Sequence, residues 1–86
     1  MTYELAGRID SMNAAKFETN LMASYEANGK LELDAAKLQY ISSAGLRVLL
    51  KLRKRQGELT VLNVSPEIYD IFEVTGFTEF LDIQKA

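Results

Sequence analysis

Short segments with the apolar alternation of β-strands recur along this chain and are separated by segments of helix length. Strand patterns cover Thr2–Ala6, Lys30–Asp34 and Glu58–Asn63, and Leu81–Ile83 is predicted as a last short strand. Strands joined by helical crossovers run in the same direction. The order β-α-β-α-β-α-β therefore predicts an α/β fold, a small and mostly parallel sheet with helices packed against it, in one domain over residues 1–86.

Single residues mark where the first elements end. Gly7 is predicted to end the first strand, and Asp10 or Ser11 to cap the first helix, which stops at Asn28-Gly29. Glu32 interrupts the second strand, so this strand either lies at a sheet edge or turns Glu32 toward solvent. The apolar face predicted for the first helix is formed by Ala14, Phe17, Leu21 and Tyr25.

The second half of the chain contains two further predicted helices. Ala35–Gln39 is a connector that could include a helical turn, and Ser43–Gln56 is the second helix. The third helix is predicted to start at Ser65-Pro66-Glu67, because Ser caps a helix start, Pro suits the first helical position and Glu is favourable at the positive end of the helix dipole. It is predicted to end at Gly76. The tail Gln84–Ala86 is expected to fray. The core predicted from this periodicity comprises Leu46, Leu49, Leu50, Val61, Ile68, Ile71 and Phe72, with Phe17 and Leu21 closing the other side.

Two serines stand where the second helix begins. Ser42 and Ser43 follow an apolar approach and precede a helical run of leucines. A serine is favoured there as a cap, because its oxygen accepts an unpaired first-turn N–H. The same N–H groups and the helix dipole would also tolerate a phosphate. The pattern leaves two interpretations of Ser43, a structural cap or a switchable serine, and favours the cap.

The composition excludes several kinds of chemistry. The chain has no His and no Cys, which removes the commonest general base, the thiol nucleophile and the usual metal ligands. We therefore expect no enzyme activity, metal or cofactor. A net charge of −2 argues against direct nucleic-acid binding. No apolar run approaches the roughly 20 residues of a membrane span, and no signal region is evident, so a cytoplasmic location without membrane insertion is expected.

Several segments resemble the STAS domain, the family of anti-sigma-factor antagonists. Tyr40–Leu50 is similar to the signature segment of the family, and Leu5–Asp10 resembles the segment that leads into the family's first helix. Leu31–Asp34 is similar to its strand ending in Asp, while Asn63–Glu67 and Phe72–Phe77 resemble its third-helix region. The resemblance covers nearly the whole chain in order. It implies a minimal version of the fold, since the first strand of the usual N-terminal hairpin and the C-terminal helix have no counterpart here.

The resemblance also implies a function. Such members are not enzymes; they bind an anti-sigma factor that is also a serine kinase, are inactivated by its phosphorylation, and are restored by a phosphatase. Alignment on Gly45 places the acceptor at Ser43, with Ser42 as second choice because many members have Asp there. The surface expected to bind the partner comprises Ser42, Ser43, Ala44, Gly45 and Arg47. The alternative implied by other relatives is an accessory subunit of a lipid-transport assembly.

Overall fold

A four-stranded sheet and three α-helices make up the protein in a computed structural model that describes residues 1–86. Every strand pair is parallel, which confirms the predicted fold class. The elements are β1 (Thr2–Ile9), α1 (Ala14–Asn28), β2 (Glu32–Ile41), α2 (Ser43–Gln56), β3 (Thr60–Val64), α3 (Pro66–Val74), a 3₁₀ turn (Phe77–Glu79) and β4 (Asp82–Lys85).

The strands lie in the sheet in the same order as in the chain, β1-β2-β3-β4. Right-handed crossovers between adjacent parallel strands place all three helices on one face. Burial follows this arrangement in β1, where Leu5 and Ile9 are buried while Glu4, Ala6 and Arg8 are exposed. The sheet thus has a helix-covered face and an open polar face. Parallel sheets usually have both faces covered.

The buried core lies between the sheet and the helices. Leu46 and Leu49 are buried as predicted, but Leu50 and Ile71 are only half-buried, as is Phe17. The buried stripe of α2 is centred on Leu49, and each helical residue turns about 100° from the one before it, so Leu50 is rotated off the stripe. The fully enclosed members of the core include Leu5, Leu21, Leu31, Leu33, Ile41, Leu49, Leu52, Leu59, Val61, Val64, Ile68 and Phe72.

The first two strands are longer than predicted. Gly7 does not end β1; it continues the strand with a φ of 68°, which glycine adopts without steric cost. Ala35–Gln39 is part of β2 and contains no helical turn. Two register shifts against β1 insert extra residues into β2 and interrupt its alternation, which is why the sequence pattern fails there. Glu32 is exposed on this interior strand, so it faces solvent and does not mark an edge.

Two further predictions, for the start of the first helix and for the end of the chain, are wrong, and hydrogen bonds explain why. Helix α1 begins after Asn13, so neither Asp10 nor Ser11 is its cap. The Asn13 side chain instead accepts from the Asp10 N–H at 2.8 Å and donates to the Arg8 carbonyl at 2.8 Å, which holds the β1–α1 loop. The chain end does not fray over Gln84–Ala86 either, because β4 reaches Lys85 and the Ala86 N–H donates to the Val64 carbonyl at 3.0 Å.

Candidate partner-binding site

The two serines lie at the carboxyl edge of the sheet, where β1 and β2 end side by side. The Ser42 N–H donates to the Ile9 carbonyl at 2.8 Å, which extends the β1–β2 ladder by one bond. Ser42 then turns the chain with an extended backbone, at φ −88° and ψ 174°, and its carbonyl accepts the first helical bond from Leu46 at 2.9 Å. Because Ser42 is fixed by the strand before it and the helix after it, the position of Ser43 is fixed as well.

Ser42, and not Ser43, is the cap of α2. Its Oγ accepts a long hydrogen bond, 3.4 Å, from the Gly45 N–H. Ser43 is the first residue of the helix and is exposed, and its hydroxyl makes no hydrogen bond within the chain. The cap that the sequence favours at Ser43 is therefore formed by Ser42. One hydroxyl serves the helix end, and its neighbour faces solvent without a structural bond.

Gly45 seats the first turn of α2 against the strands. It is buried, and a Cβ built there would lie 2.8 Å from Ile41 Cγ1 and 2.8 Å from Ile9 Cγ2. Carbon atoms normally approach to about 3.5–4.0 Å, so no larger residue fits without movement. The close approach that Gly45 permits is therefore made to its own core. This packing holds the neighbouring Ser43 close to the edge of the sheet.

Arg47 lies one turn after Ser43 on the exposed side of α2. It forms no ion pair within the chain, whereas other cations of this helix do: Lys51 contacts Glu18 at 3.1 Å and Arg55 contacts Glu26 at 3.9 Å. Residues at i and i+4 are neighbours on a helix surface. Ser43 and Arg47 consequently share one exposed patch, with the half-buried Ala44 beside them.

Sequence reasoning missed a second pair at this edge. The Arg8 guanidinium lies over the Tyr40 ring, 4.5 Å from its centroid, and the two residues are register partners in β1 and β2. They immediately precede Ile9 and Ile41, so they lie on the open face next to the serines. Such cation–π contacts are favourable by about 0.5–1 kcal/mol at exposed positions. No spacing rule could have found the pair, because it depends on the two bulges in β2.

An acidic residue on the open face has a shifted pKa. Two hydrogen bonds to its charged form, from the Ala36 N–H at 2.9 Å and the Asn63 side chain at 3.1 Å, lower the pKa of the Asp34 carboxyl. Asn63 itself has a φ of 58°, in the left-handed region. Asp34 lies near the start of β2, at the opposite end of the strand from Ser42, so it supports the strand and lies outside the serine site.

No three side chains of the His, Cys, Asp or Glu type converge to hold a metal ion. No helix has the combination of length and apolarity that crossing a bilayer requires.

Comparison with known proteins identifies relatives along the full chain. The STAS domain family matches residues 1–86. The candidate anti-sigma factor antagonist BtrV of Bordetella bronchiseptica is 38% identical over 87 aligned residues, covering 95% of this chain and 75% of BtrV.

Two solved structures have the same fold. The crystal structure of a candidate anti-sigma factor antagonist from Thermotoga maritima superposes with a TM-score of 0.84 at 15% identity, covering 99% of this chain and 80% of that one. The structure of the anti-sigma factor antagonist SpoIIAA in its unphosphorylated form superposes with a TM-score of 0.65 at 16% identity, covering 99% and 78%. The match over all residues, the 38% identity to BtrV and this shared architecture lead to one conclusion: the chain belongs to the STAS domain family.

Proposed function

We propose that this chain is an anti-sigma-factor antagonist whose unmodified form binds an anti-sigma factor, and that phosphorylation of Ser43 ends the binding. The observation that carries the proposal is the exposed Ser43 hydroxyl, which has no structural bond because Ser42 caps the helix. The name of the 38%-identical relative supports the antagonist class. In this proposal the anti-sigma factor is itself the serine kinase, and a phosphatase restores the unmodified chain.

The proposed switch requires that phosphorylation leave the fold intact. A phosphate adds about −1.5 to −2 charges at pH 7. At the first position of α2 that charge lies at the positive end of the helix dipole, and negative charge there is stabilising. Ser43 is exposed, so the modified side chain displaces no core atom. We therefore expect the phosphorylated chain to stay folded and to change only at its surface.

Loss of binding then follows from desolvation. If the partner covers the surface formed by Ser42, Ser43, Ala44 and Arg47, the phosphate must lose its water there. Arg47 is the one cation of this surface, but burying an ion pair costs more hydration than the attraction returns unless its geometry is excellent. The hydration lost is several kcal/mol per ion, and we expect a net cost of about 3 kcal/mol. Because about 1.4 kcal/mol changes an equilibrium constant tenfold, this corresponds to more than a hundredfold in Kd. Gly45 acts indirectly, by keeping the start of α2 seated at the sheet edge.

The test is a calorimetric titration against the anti-sigma factors encoded in the same genome. Ser43→Ala should bind as the parent does and resist phosphorylation. Ser43→Asp should fold, because Asp suits a helix start, and should bind at least a hundredfold more weakly. Asn20→Asp adds the same charge on exposed α1 and should leave binding unchanged.

Ser42→Ala decides between the two serines. It should remain a kinase substrate and should bind the partner as the parent does. Loss of phosphorylation in Ser42→Ala, with retention in Ser43→Ala, would move the acceptor to Ser42. If Ser43→Asp and Ser42→Asp both bind every anti-sigma factor as tightly as the parent, the switch is not at this site and the proposal is wrong.

A further inference from the structure

A groove of about 280 Å³ lies along the outer side of β1, the first strand of the sheet. Residues Tyr3–Ala6, Arg8 and Ile9 line it from the strand, and α1 lines it from the other side. The α1 residues are Asn13, Lys16, Phe17 and Asn20. An uncovered strand edge presents unpaired N–H and C=O groups and is a template for pairing with another strand.

Alternate residues of a strand direct their backbone N–H and C=O groups to opposite sides. The bonds from β1 to β2 therefore show which backbone groups of β1 are free. The Met1 carbonyl accepts from the Glu32 N–H and the Ile9 carbonyl accepts from the Ser42 N–H, each at 2.8 Å. Both acceptors, Met1 just before β1 and Ile9 at its end, are odd-numbered. The extra residues of the register shifts are in β2, so alternation along β1 is kept. Odd residues therefore bond to β2, and the even residues Glu4, Ala6 and Arg8 direct their backbone groups to the free edge.

The charges of these even-numbered residues are complementary to the charges of the same residues in a second copy of the chain. When two copies of β1 run antiparallel with Ala6 opposite Ala6, Glu4 of each copy lies opposite Arg8 of the other. All three positions then form hydrogen-bonded pairs, which use the free backbone groups. Opposite charges at facing positions stabilise a strand pair, and like charges destabilise it. Placing Glu4 opposite Glu4 would instead set two carboxylates against each other.

Two other features agree with this register. Gly7 has a φ of 68°, but as an odd residue its backbone groups belong to the β2 side, so no bond of the new pair depends on it. The half-buried Tyr3 lies opposite the second copy's Ile9 on the helix-covered face, where Phe17 also lines the groove. The contact is isologous, so it closes after two copies and does not propagate.

We propose that two copies of this chain associate through antiparallel pairing of β1 with β1, centred on Ala6, to form one continuous eight-stranded sheet. The occupant of the groove is thus a second copy of the same chain. The proposal does not rest on the antagonist function, because its readout is molecular mass in the absence of any partner protein.

The test is sedimentation equilibrium of the full chain from micromolar to millimolar concentration. The parent should be dimeric in the upper part of this range. Glu4→Lys places like charges opposite each other at two symmetric positions and should weaken the dimer about thirtyfold. Glu4→Lys combined with Arg8→Glu exchanges the charges and should restore association. Glu32→Lys makes the same charge change on the open face of interior strand β2 and should leave the dimer unchanged.

Ala6→Pro probes the backbone bonds directly. Proline removes an N–H that faces solvent in the monomer, and it is tolerated on edge strands, so the monomer should fold while the dimer is lost. Circular dichroism melts of all variants establish folding, and the charge variants test the proposal even if Ala6→Pro does not fold. A parent that stays monomeric, a dimer indifferent to Ala6→Pro or Glu4→Lys, or a charge exchange that fails to restore association would each overturn the proposal.

Discussion

The contact of Gly45 with two isoleucines makes a quantitative prediction for Gly45→Ala. The added Cβ would lie 2.8 Å from both Ile41 Cγ1 and Ile9 Cγ2, so these groups must separate by about 0.7–1.2 Å to reach normal contact. Ile41 and Ile9 are 1% and 4% exposed, so neither can move into solvent. Overpacking of this kind costs about 1–3 kcal/mol, and alanine returns at most about 1 kcal/mol of helix propensity.

The net expectation is a loss of about 1–2 kcal/mol in the free energy of unfolding. For a chain of this size that corresponds to a fall in Tm of about 5–15 °C, measured by circular dichroism. Ile41→Ala provides the control, because it removes one of the two clashing side chains. In that background Gly45→Ala should cost less than in the parent, and a double-mutant cycle measures the difference. A rise in Tm for Gly45→Ala alone would refute the inference that α2 is seated directly on these side chains.

Three further predictions concern stability. Leu49→Ala should cost about 2–5 kcal/mol in urea denaturation, whereas the half-buried Leu50→Ala should cost about 1–2 kcal/mol; equal losses would contradict the assigned helix face. Ser42→Ala should cost about 1 kcal/mol and Ser43→Ala less than about 0.5 kcal/mol in thermal melts, because Ser42 is the cap; the reverse ranking would return the cap to Ser43. Since the pKa of Asp34 is lowered in the folded state, its charge stabilises the fold above the ordinary value of 3.8, and this contribution is lost as the pH falls through the folded-state value. Asp34→Asn should therefore show a shallower loss of stability below that pH than the parent, and parallel curves would exclude the effect.

Local chemistry explains which elements the sequence predicts well. The start of α3 is predicted correctly because Ser65 caps it, accepting from the Ile68 N–H at 3.3 Å, and Pro66 follows at the first helical position. Signals of this kind act within one turn of the chain and need no tertiary information. The end of α2 is likewise determined by a local signal, since the helix stops at Gly57 as predicted.

The predictions that fail depend on contacts distant in the chain. The second half of β2 is a strand because β1 pairs with it, and its bulges hide the alternation. The assignment of the cap to Ser43 fails by one residue because both candidates are serines, and the choice is made by the Ile9 carbonyl, 33 positions earlier, which fixes Ser42 at the strand end. The resemblance to the STAS family predicts a site on this segment, and the structure shows which of the two hydroxyls is bonded to the helix and which is free.

The sequential strand order determines which parts of the molecule can open independently. Each strand lies beside the strand that precedes it in the chain. The four-residue β4 is therefore an edge strand, with a neighbouring strand on one side only. Local opening is least costly where few buried contacts must break. Detachment of β4 leaves the Ile9–Ser42 bond and the seat of Gly45 untouched, because both belong to the opposite side of the sheet. Opening of the last strand would therefore leave the shape of the start of α2 unchanged.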